Sequence, residues 1–246
     1  MRVIIPIAGS VSFKDSDFIY PKPLIDVGDK PLIEYVIDNY SDIEGGTKFC
    51  FILKQSLCAE YNLDYVITQL TSDPLIIRLK NQTKGATCSV LMGIDKIGLE
   101  EEVVIANSDQ YFLENVNNAI VFFRSHNVDA GIITFKSVHP RWSFAVLDEN
   151  ENVLETAEKR PISRDAIAGF YYFRNFKTFV DGAYNSILNE DYYNDQIYIS
   201  SAINQLILQN KKIMAYKITN ENFFSFYTPQ KIKEFERQIT GNKFSL

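Results

Sequence analysis

Apolar runs alternate with amphipathic segments through the first half of the chain. Short continuous apolar runs predict buried strands at residues 3–7, 48–53, 75–79, 103–106 and 131–137. Apolar residues at helical spacing predict helices at residues 31–40, 57–70, 86–97 and 115–125, and a proline opens the first of them. Strands that alternate with helices in this way predict a mostly parallel sheet with helices on both faces.

The second half has a different pattern, with strand-like segments that follow one another directly. These segments are SFAVLD (143–148), NVLETAEK (152–159) and AIAGFYYF (166–173), and the turn-rich residues 149–152 join the first two. Helices are predicted at residues 175–188, 198–209 and 229–239. Because no linker rich in Pro, Gly or Ser interrupts the chain, we expect residues 1–246 to form a single Rossmann-like α/β domain. Its mixed, mostly parallel central sheet is expected to be flanked by helices.

The composition limits the size of a charged partner. The chain has 246 residues, 46% of them hydrophobic, and is long enough to bury a large core. Its 31 acidic against 25 basic residues give a formal net charge of −6, which argues against a general nucleic-acid-binding protein. A site for a small phosphorylated compound is still compatible with this charge, because a few cations and backbone amides are enough to build one.

The cysteines and the apolar runs indicate the cellular compartment, and the histidines exclude one class of metal site. Cys50, Cys58 and Cys88 form no Cys-x-x-Cys pair, and we interpret them as reduced thiols of a cytoplasmic protein. The apolar run at the N-terminus is too short for a signal peptide, and no run is long enough to cross a membrane, so no membrane partner is expected. The two histidines cannot form a three-histidine zinc site.

The loop after the first strand is the first candidate binding segment, because ligands in open α/β sheets bind beyond the carboxyl ends of the strands. Ala8 and Gly9 let the backbone come close to a ligand, and Ser10 and Ser12 offer amides and hydroxyls to phosphates. Lys22 is a cation on a segment stiffened by a proline on each side. An ordinary turn is the alternative interpretation of the glycine.

The polar cluster after the fourth strand, residues 107–110, is the second candidate segment. It places Asp109 at the same edge of the predicted sheet, where a carboxylate can bind Mg²⁺ together with phosphate oxygens. A carboxylate that caps a neighbouring backbone segment is the alternative interpretation.

Five blocks of sequence resemble segments of the sugar-phosphate nucleotidyltransferases, the pyrophosphorylase branch of the GT-A-like fold, and they occur in the same order as in that family. The order of the blocks, more than any one of them, carries the resemblance. They are YPKPLIDVGDKPLIEYVI (20–37), KGATCSVLMG (84–93), VIANSDQYF (104–112), RWSFAVLDENENVLETAEKRP (141–161) followed by AIAGFYYF, and FYTPQKIKEF (226–235).

The resemblance implies a nucleotide-binding half at residues 1–135. In such enzymes Lys22 would neutralise the triphosphate, Asp109 would hold Mg²⁺ on the α-phosphate, and backbone atoms near Gly85 would contact the base. The nucleotide-binding residues that we expect on this basis are Ala8, Gly9, Ser10, Ser12, Lys22, Gly85 and Asn107, with Lys80 or Gln82 as further side-chain contacts.

The resemblance also implies an acceptor-binding half at residues 136–246. Lys159 would hold the acceptor phosphate, with Arg160 as the alternative cation, although Lys159 is also compatible with an exposed strand-end lysine. Trp142 would frame the acceptor or pack in the core. The expected acceptor-binding residues are Trp142, Ala145, Glu158, Lys159, Arg160 and Gly169, and the expected catalytic residues are Lys22, Asp109 and Lys159.

The chain departs from the family pattern at two places. Relatives carry Gly-x-Gly-x-Arg after the first strand, where this chain has Phe13 in place of the arginine, and Lys14 is the nearest substitute. The aspartate that serves relatives as a second metal ligand is replaced by Ser225, and the glycine of the following Gly-Thr-Pro is replaced by Tyr227.

The resemblance therefore implies a Mg²⁺-dependent nucleotidyltransferase that transfers the nucleoside monophosphate of a triphosphate to a small phosphorylated metabolite and releases pyrophosphate. The short chain and altered loop favour CTP and a precursor of capsule or other bacterial surface polysaccharide, with a homodimer as one possible assembly. Three alternatives stay open: a standard sugar-1-phosphate enzyme using UTP or GTP, a GT-A glycosyltransferase, and a non-catalytic nucleotide-binding homologue.

Overall fold

Thirteen strands and eight α-helices occur in residues 1–9, 13 and 18–243, the residues that a computed structural model describes. The strands are β1 (Arg2–Ile7), β2 (Asp26–Val27), β3 (Lys30–Pro31), β4 (Lys48–Lys54), β5 (Leu75–Leu79), β6 (Val103–Ala106), β7 (Gln110–Phe112), β8 (Ala130–Lys136), β9 (Phe144–Leu147), β10 (Val153–Ala157), β11 (Asp165–Phe173), β12 (Ile213–Lys217) and β13 (Phe223–Ser225). The helices are α1 (Leu32–Asp38), α2 (Gln55–Tyr61), α3 (Leu63–Leu70), α4 (Ala86–Leu91), α5 (Asn117–Ser125), α6 (Phe176–Leu188), α7 (Ile199–Leu208) and α8 (Pro229–Lys243).

Strand β1 lies at the centre of the main sheet, whose order is β10-β9-β11-β6-β1-β4-β5 in the described part of the chain. It pairs in parallel with β4 on one side and β6 on the other, and β4 pairs in parallel with β5. Val3, Ile4 and Ile5 are fully buried, which explains why the run is apolar at successive positions: both faces of the sheet are covered.

The second half extends this sheet with antiparallel strands around β11. Strand β11 pairs antiparallel with β6, β8 and β9, the β9–β10 pair forms the predicted hairpin, and β12 pairs in parallel with β8. The predicted fold class is confirmed: the chain forms a single α/β domain with a mixed central sheet flanked by helices.

Two of the predicted helices are shorter than expected. The helix predicted at residues 57–70 is two helices, α2 and α3, because Asn62 between them has a φ of 51°. The helix predicted at residues 86–97 ends at Leu91, where Gly93 and Ile94 donate backbone hydrogen bonds back three residues and replace the α-helical pattern with turns. Both segments carry apolar residues at helical spacing, so the pattern could not distinguish a helix from a series of turns.

A small sheet brings the C-terminal region to the edge of the main sheet. Strands β7 and β13 pair antiparallel with Ser225 opposite Gln110, and the Phe226 amide donates to the Asp109 carbonyl at 2.9 Å. The segment around Ser225 therefore lies beside the loop that follows β6.

Three cysteines and eight α-helices lie in the described residues. Cys50 and Cys58 are buried and Cys88 is half-buried, all three as free thiols. Within these residues no helix combines the length and the apolar composition that crossing a bilayer requires.

Candidate active site

The carboxyl ends of β1 and β6 meet at one edge of the sheet and open into a pocket of about 220 Å³. Ala8 and Gly9 follow β1, Asn107 and Asp109 follow β6, and all four line this pocket. We call it the nucleotide pocket. Many of its lining residues are Gly, Ala or Ser, whose small side chains let a planar ring come close to backbone amides and carbonyls.

The opposite wall of the nucleotide pocket is a tight turn at Gly85. Its φ is +101°, and a Cβ there would lie 2.3 Å from the Ile197 carbonyl oxygen, so only glycine fits this position. The Ile197 amide donates to the Lys84 carbonyl at 2.9 Å. This close approach carries Gln196 and Tyr198, from the other half of the sequence, into the lining of the pocket.

A second pocket of about 300 Å³ adjoins the first, and we call it the acceptor pocket. Four residues line both pockets, namely Ala86, Asn107, Asp109 and Tyr198. The acceptor pocket, but not the nucleotide pocket, is also lined by Arg141, Trp142, Glu158, Lys159 and Gly169. Two ligands bound in these pockets would therefore meet next to Asp109.

Lys22 lines neither pocket, but it forms an ion pair with Asp109, which lines both. The Lys22 ammonium donates to the Asp109 carboxylate at 2.8 Å, and the two side chains are 14% and 28% exposed. Lys22 begins a short 3-10 helix, Lys22–Leu24, and its ammonium lies 5.1 Å from the centre of the Phe13 ring. Because the pair is partly shielded from water, it fixes both charges at the junction of the pockets.

Lys159 lies across the acceptor pocket in a conformation that few non-glycine residues adopt, with a φ of 51°. Its ammonium donates to the Tyr198 hydroxyl at 3.0 Å and lies over the ring of Tyr193 as well as that of Tyr198. Burial lowers the pKa of Lys159, but the Tyr198 hydroxyl and the Glu158 charge outweigh burial and raise that pKa above its usual value. Lys159 is therefore a fixed cation at neutral pH.

Glu158 is held by two hydroxyl donors. Its Oε2 accepts hydrogen bonds from Ser143 and, at 2.9 Å, from Ser200. Burial raises the pKa of Glu158, and these hydrogen bonds together with the Lys159 charge offset only part of the rise.

Gly169 closes the floor of the acceptor pocket. With a φ of +65°, a Cβ at this position would lie 2.0 Å from the Gln110 side-chain oxygen and 2.4 Å from the Asn107 side-chain nitrogen. The Asn107 amide also donates to the Gly169 carbonyl at 3.0 Å. Because Gly169 has no side chain, the side chains of Gln110 and Asn107 can occupy this space.

Several of the predicted site residues lie elsewhere. Ala145 is fully buried and its carbonyl accepts from Ser163, so it lines neither pocket. Arg160 is exposed, pairs with Glu155 at 3.3 Å and lines a neighbouring cavity. Lys80 is exposed and lines neither pocket, whereas Gln82 lines the nucleotide pocket. Ser10, Ser12 and Lys14 lie outside the described residues.

Trp142 both packs against the hydrophobic core and lines the acceptor pocket. Its ring is half-buried and packs against Phe135, Phe223 and Tyr227, and it also lines the acceptor pocket.

Sequence reasoning missed Arg141, Tyr198 and Gln196 as lining residues. Arg141 directly precedes Trp142 in a block that was already singled out, so the block was a usable signal. Tyr198 and Gln196 follow a segment with no recognisable motif, and only the fold around Gly85 brings them to the site.

The site offers a divalent metal one carboxylate. Among the described residues no group of three or more His, Cys, Asp and Glu side chains could enclose a metal ion. One carboxylate oxygen of Asp109 is paired with Lys22, and the side chain is partly exposed toward both pockets. This set fits Mg²⁺, which is commonly bound by one or two carboxylates with substrate phosphates and water.

Taken by its chemistry, the cleft is a place where two phosphorylated ligands can be joined. Asp109 lies where the two pockets meet and is paired with the Lys22 cation, and Lys159 is a second cation in the acceptor pocket. Joining two phosphorylated ligands requires charge and position and no nucleophilic side chain.

Solved structures with the same fold extend over nearly the whole chain. A nucleoside-diphosphate-sugar pyrophosphorylase from Vibrio cholerae RC9 superposes with a TM-score of 0.82 at 21% identity, covering 97% of this chain and 100% of that one. A UDP-glucose pyrophosphorylase complexed with UDP-glucose gives 0.76 at 17% identity and 98% of each chain. HddC from Yersinia pseudotuberculosis complexed with GMP-PN gives 0.64 at 18% identity, covering 97% of this chain and 99% of that one.

A search of curated protein sequences found no match. Residues 18–222 match the family described as "Nucleotidyl transferase", and this range includes Lys22, Asp109 and Lys159. The chain therefore belongs to the nucleotidyl transferase family.

Proposed function

We propose that the chain transfers a nucleoside monophosphate, with CMP as the first candidate, from a triphosphate to the phosphate of a small acceptor. An oxygen of the acceptor phosphate forms a bond to the α-phosphorus, the bond from that phosphorus to the β-phosphate oxygen breaks, and pyrophosphate leaves. The observation that carries the proposal is the Lys22–Asp109 pair where the nucleotide and acceptor pockets meet.

The chain's contribution to this reaction is charge and position. Lys22 neutralises the triphosphate, and Lys159, locked by Tyr198, holds the acceptor phosphate on the far side of the cleft. Bringing two anions together in line is the main barrier to this chemistry, and fixed cations lower it without reorganising during the reaction.

Magnesium is the proposed cofactor, held through Asp109. When bound, the ion neutralises charge on phosphate oxygens and orients them. Ser225 lies beside Asp109 at the position where relatives carry a second acid, so we propose that phosphate oxygens and water complete the coordination.

The small nucleotide pocket supports a pyrimidine. Its walls at Gly9 and Gly85 are backbone, which suits the compact edge of cytosine, and CTP is the proposed donor on this basis. UTP and GTP are the competing donors, because two of the solved structures hold UDP-glucose and GMP-PN. A glycosyltransferase is disfavoured by the single acid after β6, since such enzymes commonly bind their metal through an Asp-x-Asp-like pair.

The proposed setting is the cytoplasm, where the product would be a precursor of a bacterial capsule or other surface polysaccharide. This part of the proposal, like the proposed homodimer, rests on the resemblance to short single-domain members of the family.

A pyrophosphate-release screen tests the proposal. Purified protein with Mg²⁺ is given CTP, UTP, GTP or ATP against sugar phosphates, phosphocholine and phosphoamino acids. We expect release that requires one triphosphate and one acceptor together. Nucleotide binding without release for any pair would identify a non-catalytic homologue, and hydrolysis of a finished sugar nucleotide alone would identify a glycosyltransferase.

A further inference from the structure

Arg141 is a cation of the acceptor pocket that the proposed transfer does not use. Its guanidinium carbon lies 3.4 Å from the centre of the Tyr227 ring, so the planar group is stacked on the aromatic face. Its backbone amide and its Nε both donate to the Nδ1 atom of His139, at 3.3 and 3.2 Å. The half-buried side chain is thus held in one orientation at the wall of the pocket.

The Arg141 guanidinium has no acidic partner within the described residues, in contrast to several other arginines of the chain. The arginines that do form ion pairs with carboxylates are Arg2, Arg78, Arg124 and Arg160. The ring of His139 contacts Nε of Arg141 at 3.2 Å and its Nη2 at 3.4 Å. The N–H groups of Nη1 and the second N–H of Nη2 are left for a planar anion.

The second departure from the family pattern, at Ser225 and Tyr227, concerns this arginine. Ser225 and Tyr227 line the acceptor pocket together with Arg141. An acid at position 225 would place a carboxylate in the same pocket and compete for the guanidinium, whereas serine adds no charge. Tyr227, at a position where relatives have glycine, supplies the ring on which the guanidinium is stacked.

The charges lining the pocket limit what the free arginine can accept. The described lining residues with formal charge are Arg141, Lys159, Asp109 and Glu158. Asp109 is paired with Lys22. Glu158 accepts hydrogen bonds from two serine hydroxyls, and its charge acts on the neighbouring Lys159, which is assigned to the transferred phosphate. One unpaired guanidinium matches one monovalent planar anion, and a carboxylate accepts its parallel N–H groups in a bidentate pair.

We infer that Arg141 binds a carboxylate of the acceptor, so that the acceptor is a small phosphorylated carboxylic acid. This inference rests on the proposed function for the role of Lys159, and it adds a specificity-determining residue to it. A second phosphate in place of the carboxylate would bring a further negative charge that no other lining cation of the described residues compensates.

Matched acceptors that differ only in the carboxylate test the inference. O-phosphoserine carries the carboxylate that phosphoethanolamine lacks, and 3-phosphoglycerate carries the one that glycerol 3-phosphate lacks. Isothermal titration of each compound into the protein, saturated with Mg²⁺ and a non-hydrolysable CTP analogue, gives a dissociation constant without requiring turnover. We expect at least 10-fold tighter binding of the carboxylate member in at least one pair.

Variants at position 141 assign that preference to the arginine. Arg141→Gln should remove the 10-fold ratio and leave the dissociation constant of the carboxylate-free member within about 2-fold, and Arg141→Lys should restore part of the ratio, because a lysine keeps the charge but not the fork. Arg237→Gln, the same change at an exposed position of α8, should leave the ratio unchanged and controls for stability.

The inference is overturned if the wild-type protein binds both members of each pair equally, or if Arg141→Gln weakens both members to the same extent. A parallel pyrophosphate assay separates this failure from that of the proposed function. Turnover with carboxylate-free phosphates alone keeps the transfer and rejects the role of Arg141, whereas a carboxylate preference without any turnover keeps the site and rejects the transfer.

Discussion

Asp109 is the carboxylate that both pockets share, and Lys22 fixes one of its oxygens. Replacing Asp109 with Asn keeps the size of the side chain and removes its charge. We expect pyrophosphate release to fall by roughly 100-fold or more, because a group that stabilises charge in the transition state is lost. The free energy of unfolding should change by about 1 kcal/mol or less, because the ion pair is partly exposed.

Asp181→Asn is the matched control for this substitution. Asp181 pairs with Lys177 on the outer face of α6, and both side chains are largely exposed. The activity of this variant should equal that of the wild type in the same assay. If Asp109→Asn also keeps full activity, Asp109 has only a structural role.

Gly169 supports a second prediction at the scale of one residue. Gly169→Ala places a methyl group inside the contact distances of Gln110 and Asn107 and also at a φ of +65°. We expect at least about 2 kcal/mol of destabilisation from strain and overpacking. Turnover should fall as well, because Asn107 would be displaced from the wall of both pockets. Urea unfolding and steady-state kinetics measure the two effects.

Gly45→Ala separates backbone strain from the loss of space. Gly45 has a φ of +90°, but a Cβ there meets no atom within 4 Å. Only the strain term of about 1 kcal/mol should appear, with unchanged turnover. Equal losses of stability for the two variants would show that the packing around Gly169 tolerates a side chain.

At the scale of elements, Glu102 joins three parts of the fold just before β6. Its carboxylate accepts hydrogen bonds from Arg124 of α5, at 2.6 and 2.9 Å, and from the Tyr172 hydroxyl of β11 at 2.7 Å. Burial acts to raise the pKa of Glu102, but the donors from Arg124 and Tyr172 outweigh it and hold that pKa below the usual 4.5. Glu102 therefore stabilises the fold at pH values above its unfolded pKa, and the contribution is lost as the pH falls through the lower, folded value.

Glu102→Gln tests this linkage. At pH 7 we expect a loss of about 1–3 kcal/mol in the free energy of unfolding, because a charged acceptor of three hydrogen bonds is replaced by a neutral amide. The difference from the wild type should shrink as the pH is lowered below the usual pKa of a glutamate and through the lower pKa of the folded-state carboxylate. Urea unfolding at several pH values measures it. A difference that stays constant with pH would contradict the assigned charge effect.

The elements of the sheet could be predicted from the sequence because their signal is local. The runs at β1, β4, β5 and β6 are apolar at successive positions and end at polar or small residues, as buried parallel strands do. The break between α2 and α3 could not be predicted, since Asn62 adopts a φ of 51° without any glycine or proline to indicate it.

The candidate site was predictable where a residue directly follows a strand and was missed where the chain returns from far away. Gly9, Asp109 and Lys159 lie next to strand ends, and all three line the pockets. Tyr198 reaches the site only because the backbone of Ile197 packs against Gly85, more than a hundred residues earlier in the sequence. Arg160 follows Lys159 directly in the sequence and has the same charge, but its side chain pairs with Glu155 and lines another cavity. The sequence alone does not indicate which of the two neighbouring cations faces the acceptor pocket.

At the scale of the whole molecule, a net charge of −6 coexists with a cleft that is lined by Lys159 and Arg141 and has Lys22 paired with its Asp109. Long-range repulsion from the acidic surface disfavours an extended polyanion, whereas a free nucleotide is small enough to interact mainly with the local cations. The molecule should therefore distinguish phosphate compounds by size.

Thermal unfolding in the presence of ligands tests this last prediction. With Mg²⁺ and CTP at 100 times the dissociation constant, binding to the folded chain alone adds about 2.7 kcal/mol of stability. For a domain of this length that corresponds to a rise in Tm of roughly 5–11 °C. Duplex DNA at the same phosphate concentration should shift Tm by less than about 1 °C, because its charges cannot enter the cleft. Lys22→Met should remove most of the CTP shift while the ligand-free Tm changes little, since its ion pair is partly exposed. An equal rise with DNA would mean that the stabilising ligand site lies on the surface and not between the two pockets.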